Sequence, residues 1–250
     1  MNKFYIGATP IGGLHDVTVR TLDIIKDADY IVCELIHVVK QTIERGGWKT
    51  NAKYLEYCVD FVGDEEGARS PHLKNHGEIK EGIQEEILKL INEGNKMIYL
   101  PERGSVGIED PGLELMAFLK RNNVEVISLP GVSSVIASLV ICGIWPKMKS
   151  NRAWTFQPLV DLEGERLEEI IEQYKDSYNL LITQIHDDKM LEGLQLMAKH
   201  YGRDRQVAIC IDVSLSSEKV YLTNLGYLVD NFDPEKYHNR YSTIVVDGKI

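Results

Sequence analysis

Three glycine-containing turns, each directly after a short apolar run, hold the residue types best suited to chemistry. The first follows Phe4-Tyr5-Ile6: residues 7–13 contain three glycines and Pro10. Asp16 then precedes Val17, Leu22, Ile24 and Ile25, an apolar pattern of helical period with a hydrogen-bond acceptor at its start. The second turn, Pro101-Glu102-Arg103-Gly104-Ser105, follows Met97-Ile98-Tyr99-Leu100. It runs on to Asp110-Pro111-Gly112, where an acidic cap and a proline at the first helical position predict a helix start. The third, Pro130-Gly131-Val132-Ser133-Ser134, follows the apolar run 124–129. Strand, glycine turn and helix together bring backbone N–H groups close to a small polar ligand. A carboxylate, Glu34, ends another apolar run, Tyr30-Ile31-Val32-Cys33.

The elements that must position these turns alternate. Residues 30–33 read as a second strand, 38–45 as a helix closed by Gly46-Gly47, and 54–58 as a third strand. Residues 60–77 are polar and rich in glycine and charge, a long loop. Residues 78–92 predict an amphipathic helix with Ile79, Ile83, Ile87, Leu88, Leu90 and Ile91 on one side and Gly94 after it. A strand at 97–100, a helix at 113–120, a strand at 124–129 and an apolar helix to Cys142 complete the first half. Such alternation predicts a largely parallel sheet covered on both faces. Ligands of these sheets sit outside the carboxyl ends of the strands, where all three turns would gather.

Residues 143–152 carry Pro146 and several charges without periodicity, and read as a linker between α/β domains at 1–146 and 147–250. In the second domain, strands are expected at 155–156, 179–183, 206–211, 219–222 and 243–246. Helices are expected at 163–174 and 188–201, with a helical turn capped by Thr223.

Composition narrows the function classes. The 250 residues are 44% hydrophobic and 26% charged, an ordinary globular balance with ample core. A net charge of −10 sets the field of the whole molecule against nucleic acid, so an RNA contact would need a local basic patch. Lys147, Lys149 and Arg152, and the Arg203/Arg205 pair, are small candidates. Cysteines 33, 58, 142 and 210 form no CxxC or Cys/His set, and the seven histidines no HxH or HExxH pair. Cys33, Cys142 and Cys210 lie in apolar runs, so buried free thiols in a reducing, cytoplasmic compartment are expected, and no metal site. The longest apolar stretch, 132–144, is too short to span a bilayer.

Taken in order, the motifs resemble those of the tetrapyrrole-methylase superfamily of S-adenosylmethionine-dependent enzymes. The nearest branch is the one that 2′-O-methylates a cytidine ribose of small-subunit ribosomal RNA. Its opening A-T-P-I-G-N-L-x-D-I-T-x-R-A-L is matched by Ala8-Thr9-Pro10-Ile11-Gly12-Gly13-Leu14-His15-Asp16-Val17-Thr18-Val19-Arg20-Thr21-Leu22. Its S-D-A-G-T-P-x-I-S-D-P-G block falls on residues 101–112, and L-P-G-P-S-A-x-x-A-A-L on residues 129–139. The resemblance implies two α/β domains, a mostly parallel N-terminal sheet and a mixed C-terminal one. It also implies a homodimer, with S-adenosylmethionine folded into the interdomain cleft and S-adenosylhomocysteine as product. By the same resemblance, Pro10, Leu100, Glu102, Ser105, Ile108, Ser133 and Ser134 would meet the cofactor. Leu181, Ala208, Ile209 and Thr243 would close over its adenosine.

The departures lie where an acceptor substrate would be handled. The branch reads A-E-D-T-R after its second strand, whereas here Cys33-Glu34 continues as Leu35-Ile36-His37, without the arginine. Glu102 replaces an aspartate and Arg103 an alanine. Y-E-S-P-H-R survives only as Ile182-Thr183-Gln184-Ile185-His186-Asp187. R-E-L-T-K-x-H-E-E is reduced to residues 209–219, with Asp212, Ser214 and Glu218 as echoes. The acceptor therefore stays open between RNA, as in that branch, and a peptide, protein or small molecule. A chain that binds the cofactor without transferring its methyl group is a further alternative. A nicotinamide oxidoreductase is not supported, since no GxGxxG follows the first strand. If the acceptor is a hydroxyl, a base must take its proton. Glu34 is the first candidate, followed by His37 and His186. The competing readings are a solvated or capping carboxylate for Glu34 and structural histidines for the other two.

Overall fold

A computed structural model describes residues 2–59, 78–107, 110–144, 154–159, 162, 164–177, 180–185, 189–238 and 242–248. The chain divides into two compact units, Met1–Val132 and Ser133–Ile250. Most of the expected linker lies outside the described residues. The helix before it, Ser134–Ile141, packs against the last strand of the second unit and is counted with that unit.

In the first unit, strands β1 (Lys3–Ile6), β3 (Tyr30–Cys33), β4 (Lys53–Glu56), β5 (Met97–Leu100) and β7 (Glu125–Ser128) form one sheet. Its order is β4-β3-β5-β1-β7, with every pairing parallel. Two-residue strands β2 (Ala8–Thr9) and β6 (Gly104–Ser105) pair antiparallel beyond it. The side-chain period of two sorts the sheet into two faces. Ile31, Cys33, Ile98 and Leu100 pack with Ile25 of α1 (Val19–Asp27) and with Val39 and Ile43 of α2 (Ile36–Gly46). Phe4, Val32, Met97 and Tyr99 pack with α3 (Ile83–Asn92) and α4 (Gly112–Arg121). Each fully buried aliphatic side chain contributes roughly 2 kcal/mol, so both faces are strongly held.

This topology has a consequence for ligands. The chain leaves β1 toward β3 on the α1/α2 face, and leaves β5 toward β7 on the α3/α4 face. Adjacent strands β1 and β5 therefore send their following loops to opposite sides, which opens a crevice at their carboxyl ends.

Several boundaries differ from the sequence expectation, four of them at helix starts with an identifiable cause. Helix α1 is capped by Thr18, not Asp16, because Thr18 is extended (φ −77°, ψ 144°) and its hydroxyl accepts Thr21 N–H. Helix α3 begins at Ile83 rather than at residue 78: Gly82 is left-handed (φ 72°), and Ile79 is bridged to Cys58 as extended chain. The α4 cap position is Pro111, although Asp110 still supplies the capping oxygen. Helix α8 (Leu225–Asp230) is capped by Asn224, whose side chain accepts Tyr227 N–H, and not by Thr223, which stays in a strand.

The second unit is built on strands β8 (Trp154–Phe156), β9 (Leu180–Thr183), β10 (Gln206–Ile211), β11 (Lys219–Asn224) and β12 (Ser242–Val246). Their order is β11-β10-β12-β9-β8, antiparallel except for the parallel β8–β9 pair. Helices α6 (Gly164–Gln173), α7 (Met190–Tyr201) and α8 cover the face carrying Val207, Ile209, Ile211, Ile244 and Val246. Helix α5 (Ser134–Ile141) lies against β12, and Cys210 Sγ is 3.7 Å from the Ser138 carbonyl oxygen.

Candidate functional site: a three-loop platform and a glutamine bridge

In the first unit the three turns are tied together by main-chain pairing and by two hydroxyls. Gly7 N–H donates to the Tyr99 carbonyl (2.9 Å), which docks the first turn on β5. A Cβ on Gly7 would lie 2.9 Å from Leu100 Cδ2 and 3.1 Å from Ile98 Cδ1, so glycine lets the chain pass over the sheet end without moving those side chains. Pairing of β2 with β6 then lays the first turn along the second, Ala8 opposite Ser105 and Thr9 opposite Gly104. Thr9, fully buried, donates its hydroxyl to the Pro101 carbonyl (3.1 Å). The third turn joins through Ser105, whose hydroxyl donates to the Val132 carbonyl (2.8 Å). Gly131 closes the set, because a Cβ there would collide with Ala8 Cβ. Backbone groups dominate this platform, which sits outside the β1/β5 crevice. At its rim Gly107 is left-handed (φ 129°), with no atom within 4 Å of where its Cβ would stand.

Carboxylates surround the same strand ends in two different roles. Glu56 ends β4 and holds the first turn of α2: its Oε1 accepts Ile36 N–H at 3.0 Å, and its Oε2 pairs with Lys80 at 2.6 Å. Burial pushes the Glu56 acid upward, but these two partners outweigh it and leave it below the ordinary carboxylate value. Leu35, at the cap position, has no side-chain acceptor, so Glu56 does the work that a polar residue after Glu34 would do. Glu34 follows β3 and is buried, 7% exposed. Its position two residues past Val32 puts it on the α3/α4 face. There its charge acts on Cys58, Tyr99 and Asp110. Desolvation pushes Asp110 up to about 6, against the stabilising hydrogen bonds from Gly112 N–H (2.7 Å) and Tyr99 OH (2.9 Å). Burial likewise raises the Cys33 and Cys58 thiols, which stay protonated and inert.

The expected cofactor residues thus separate by how they are able to make contact. Pro10 is buried in the platform, Glu102 and Ser105 are half-buried, and Ser105 is a platform tie. Leu100 points into the α1/α2 core beneath Gly7, so it is left with its backbone for any ligand. His37 lies on the exposed side of α2, near enough to help lower Glu56. Ile108 and His186 lie outside the described residues.

In the second unit the side chains of Leu181 and Ile209 belong to the core under α6–α8, again leaving only backbone. Ala208 and Thr243 face the opposite way, toward α5, as their partners in the ladder do: Ala208 opposite Val245, Cys210 opposite Thr243. Ser133 takes the α5 cap position, yet its side chain makes no cap hydrogen bond. Ser134 and Thr243 are joined by a residue that sequence reasoning did not single out. Gln184 Nε2 donates to Ser134 Oγ and to Thr243 Oγ1, each at 3.3 Å. Its signal in the sequence was position alone, just past β9 within the segment 182–187. Beyond β10 the backbone is strained, with Asp212 (φ 51°) and Ser214 (φ 70°) both left-handed. Asp212 accepts Ser217 OH at 2.8 Å there.

Among the described residues no group of three His, Cys, Asp or Glu is placed to hold a metal ion. No described helix is long and apolar enough to cross a membrane.

Comparison with known proteins identifies the family and the fold. The sequence profile of the tetrapyrrole (corrin/porphyrin) methylases matches residues 3–229. The ribosomal RNA small subunit methyltransferase I of Thermotoga maritima is 24% identical over 250 residues, covering 100% of both chains. Its namesake from Buchnera aphidicola is 24% identical over 254 residues, covering 99% of this chain and 81% of that one. Among solved structures, a cobalt precorrin-4 methyltransferase of cobalamin biosynthesis superposes with a TM-score of 0.64 at 17% identity, covering 98% of this chain and 94% of that one. A uroporphyrin-III C-methyltransferase from Thermus thermophilus, solved with S-adenosyl homocysteine, gives 0.60 at 14% identity, with 98% and 97% covered. Fold and sequence profile converge: the chain belongs to the tetrapyrrole (corrin/porphyrin) methylase family of S-adenosylmethionine-dependent methyltransferases.

Proposed function

We propose that the three-loop platform is a wall of the S-adenosylmethionine site and that the protein methylates a ribose 2′-hydroxyl of RNA. The observation that carries the cofactor assignment is the platform itself, three turns pinned together by backbone and small-residue contacts at the β1/β5 crevice. It fits a nucleoside and amino-acid ligand: the walls offer N–H and C=O groups at close approach, and the nearby carboxylates Glu34, Glu102 and Asp110 suit a ligand bearing positive charge. When bound, S-adenosylmethionine supplies an electrophilic methyl group on a sulfonium.

The residues of the chain then have separable tasks. Pro10, Ser105 and the backbone of Leu100 shape the wall, and Glu102 carries its charge. In the second unit, Gln184 orients the Ser134 and Thr243 hydroxyls, while Ala208 keeps its side of the strand low enough for an adenine. Glu34 takes the acceptor hydroxyl's proton. Placement of acceptor against methyl supplies the greater part of the acceleration, and proton removal by Glu34 the rest.

Support for RNA comes from the relatives named ribosomal RNA small subunit methyltransferase I, two of which align with the chain nearly end to end. One observation favours a second reading, an acceptor without phosphate. The edge that would receive a phosphate carries Glu34, Glu56, Glu102 and Asp110 around Cys58, and Lys80 is already committed to Glu56. Titration calorimetry with S-adenosylmethionine tests the cofactor assignment. Transfer of labelled methyl groups into total RNA, protein and small-molecule pools tests the acceptor. Label in small-subunit RNA, reduced about 100-fold or more in Glu34→Gln with cofactor affinity retained, is the expected result. Label confined to protein or small molecules would move the assignment to the second reading, and binding without transfer to a cofactor-binding protein.

A further inference from the structure

One edge of the first unit is unlike the rest of this acidic chain. Between Ile36 and Leu55 stand four cations, Lys40, Arg45, Lys49 and Lys53, against one carboxylate, Glu44. All four cations are exposed. Helix α2 runs back from the carboxyl end of β3, and the chain turns at Gly47 (φ 65°) to enter β4, the outermost strand of the sheet. The turn is tightly hydrogen-bonded. Gly47 N–H donates to the Glu44 carbonyl at 3.1 Å, and Trp48 N–H to the Ile43 carbonyl at 3.0 Å. The Trp48 indole covers Gly46 so closely that a Cβ there would collide with it. Thr50 OH donates to the Ile25 carbonyl at 2.8 Å and accepts Ala52 N–H at 3.1 Å. Lys53 N–H donates to the Asp29 carbonyl at 2.9 Å. Thr50 and Ala52 are half-buried, and Lys49, Asn51 and Lys53 alternate with them as exposed residues.

Two of the cations are held by rings. Lys40 Nζ lies 4.9 Å from the centre of the Tyr54 ring, and Lys53 Nζ 5.6 Å from that of Tyr30. A ring positions an ammonium without neutralising it. In the second unit Arg166, Lys175, Lys199 and Arg203 each sit on a carboxylate instead. Of the basic residues that the sequence offered for RNA, Arg203 is thus engaged with Asp230, and Arg205 donates to the Tyr201 and Asp247 carbonyls. Lys147, Lys149 and Arg152 lie outside the described residues. The carboxylates at the foot of β3, Asp27 and Asp29, are both engaged by Lys96, through its ammonium (3.5 Å) and its backbone N–H (2.8 Å). A cation past a helix end complements the helix dipole, and a lysine guards a sheet edge, reasons that suit Arg45 and Lys53 singly. They do not call for four cations along one ordered edge of a chain with net charge −10. A local positive field is what a polyanion requires of an acidic protein.

We propose that the α2–β4 edge is an RNA-backbone surface, on which Lys40, Arg45, Lys49 and Lys53 receive phosphates flanking the methylated nucleotide. This rests on the reading of RNA as the acceptor. Helix α2 begins beside Glu56 at the carboxyl ends of the strands, so a nucleic-acid strand lying along it leads from the turn to the end of β3 where Glu34 stands. The carboxylates there meet only the ribose, because the phosphates are held outside them.

The test uses the full chain with two probes: a fluorescein-labelled single-stranded RNA of about 20 nucleotides for binding, and small-subunit ribosomal RNA for methyl transfer. Anisotropy is titrated at several salt concentrations for the wild type and for Lys40→Gln/Lys49→Gln/Lys53→Gln. A control of equal charge change is Lys89→Gln/Lys175→Gln/Lys236→Gln. The edge variant is expected to bind about tenfold more weakly near physiological salt, with a log–log salt slope shallower by about 2. Each lysine replaced singly should lower the slope by about 0.7. The KM for RNA should rise by a factor similar to the loss of binding, with S-adenosylmethionine affinity unchanged by calorimetry. The control should bind as the wild type does. A wild type that binds S-adenosylmethionine but neither binds nor labels RNA overturns the RNA acceptor, and this surface with it. Labelling of RNA by wild type and edge variant with the same KM and salt slope overturns the surface and leaves the acceptor standing. An equal loss in the control does the same, since net charge alone would then explain the effect. So does tighter binding of the wild type to polyglutamate or to phosphatidylserine vesicles than to the RNA.

Discussion

The two sheets present their functional groups by different means. At the edge of the parallel sheet, three turns are joined by main-chain pairing, by the Thr9 and Ser105 hydroxyls bonded to backbone carbonyls, and by glycines packed against neighbouring atoms. In the second unit the corresponding polar groups hang on one side chain, Gln184, whose two hydrogen bonds are both long, at 3.3 Å. A platform built mainly of backbone has few rotamers to lose and, at Gly131, no room for an added atom. An amide bridge adapts, and each of its neutral hydrogen bonds is worth on the order of 1 kcal/mol. The first unit's platform is thus specified by close packing, and the polar cluster of the second by contacts that can adjust.

If that contrast is right, the largest single effect should come from one methyl group in the platform. Gly131→Ala drives a Cβ into Ala8, and neither partner is a flexible side-chain end. Overpacking of this kind costs about 3 kcal/mol, or the turn moves and the platform opens. Chemical denaturation together with cofactor titration separates the outcomes. A variant with unchanged stability and unchanged affinity would show the platform to be loose, and the contrast would fail.

The next effect is electrostatic and belongs to the same unit. Asp110 is raised in the folded state from 3.8 to about 6, so the folded chain holds the proton more tightly than the unfolded one. Its contribution to stability is therefore greatest at low pH and is lost as pH rises through about 6. The lowered acid of Glu56 acts with the opposite sign: its stabilisation is present above the ordinary carboxylate pKa and lost on acidification. The difference between wild type and Asp110→Asn isolates the first term. The variant is expected to be more stable by about 2 kcal/mol at pH 8 after discounting for partial solvent access, with the gap closing toward pH 4. Denaturation midpoints at four pH values measure it, and a gap that is constant with pH would show that the carboxyl group is not held at a cost.

How much of this was legible beforehand follows from the same contrast. The platform is readable because its geometry demands particular letters: Gly104 is set by a positive φ and Gly131 by a close approach, and proline and serine sit beside them. The alternation of strands and helices in the first unit was readable for a related reason, since buried parallel strands are unbroken apolar runs. The end of the α3 pattern misled because Ile79 continues the helical period while Gly82 breaks the backbone, and periodicity is blind to a left-handed residue. In the second unit, Leu181 and Ile209 would contact a ligand only through main-chain atoms, and their side chains report the core instead. Gln184 carries no motif: its meaning depends on Ser134 and Thr243, fifty and fifty-nine positions away. Asp110 reads as the cap residue of α4, a position the structure gives to Pro111 while Asp110 supplies the capping oxygen, and no spacing rule reveals its second partner, Tyr99.

A smaller effect is expected at the bridge. Gln184→Ala leaves Ser134 and Thr243 to reorient, and should weaken cofactor binding about five- to tenfold, roughly 1 kcal/mol, with little change in folding. Gln184→Glu preserves length and one acceptor but removes both donors, so it should not rescue. Full rescue by glutamate would show that the bridge serves only to fill space.

The smallest effect should have the opposite sign. Ser138 is fully buried in α5, and its Oγ finds no hydrogen-bond partner, while its carbonyl receives the Cys210 thiol. A buried hydroxyl left unmade costs more than the methyl that would replace it, and alanine is also the better helix former. Ser138→Ala should therefore raise stability by roughly 0.5–1 kcal/mol without displacing α5 from β12. Against Gly131→Ala it is the sharpest form of the comparison. In the platform a single methyl group is excluded by packed backbone, whereas beside the second sheet a single oxygen is spare. A stability loss in Ser138→Ala would mean that this oxygen is engaged, and that the second unit is as tightly specified around its site as the first.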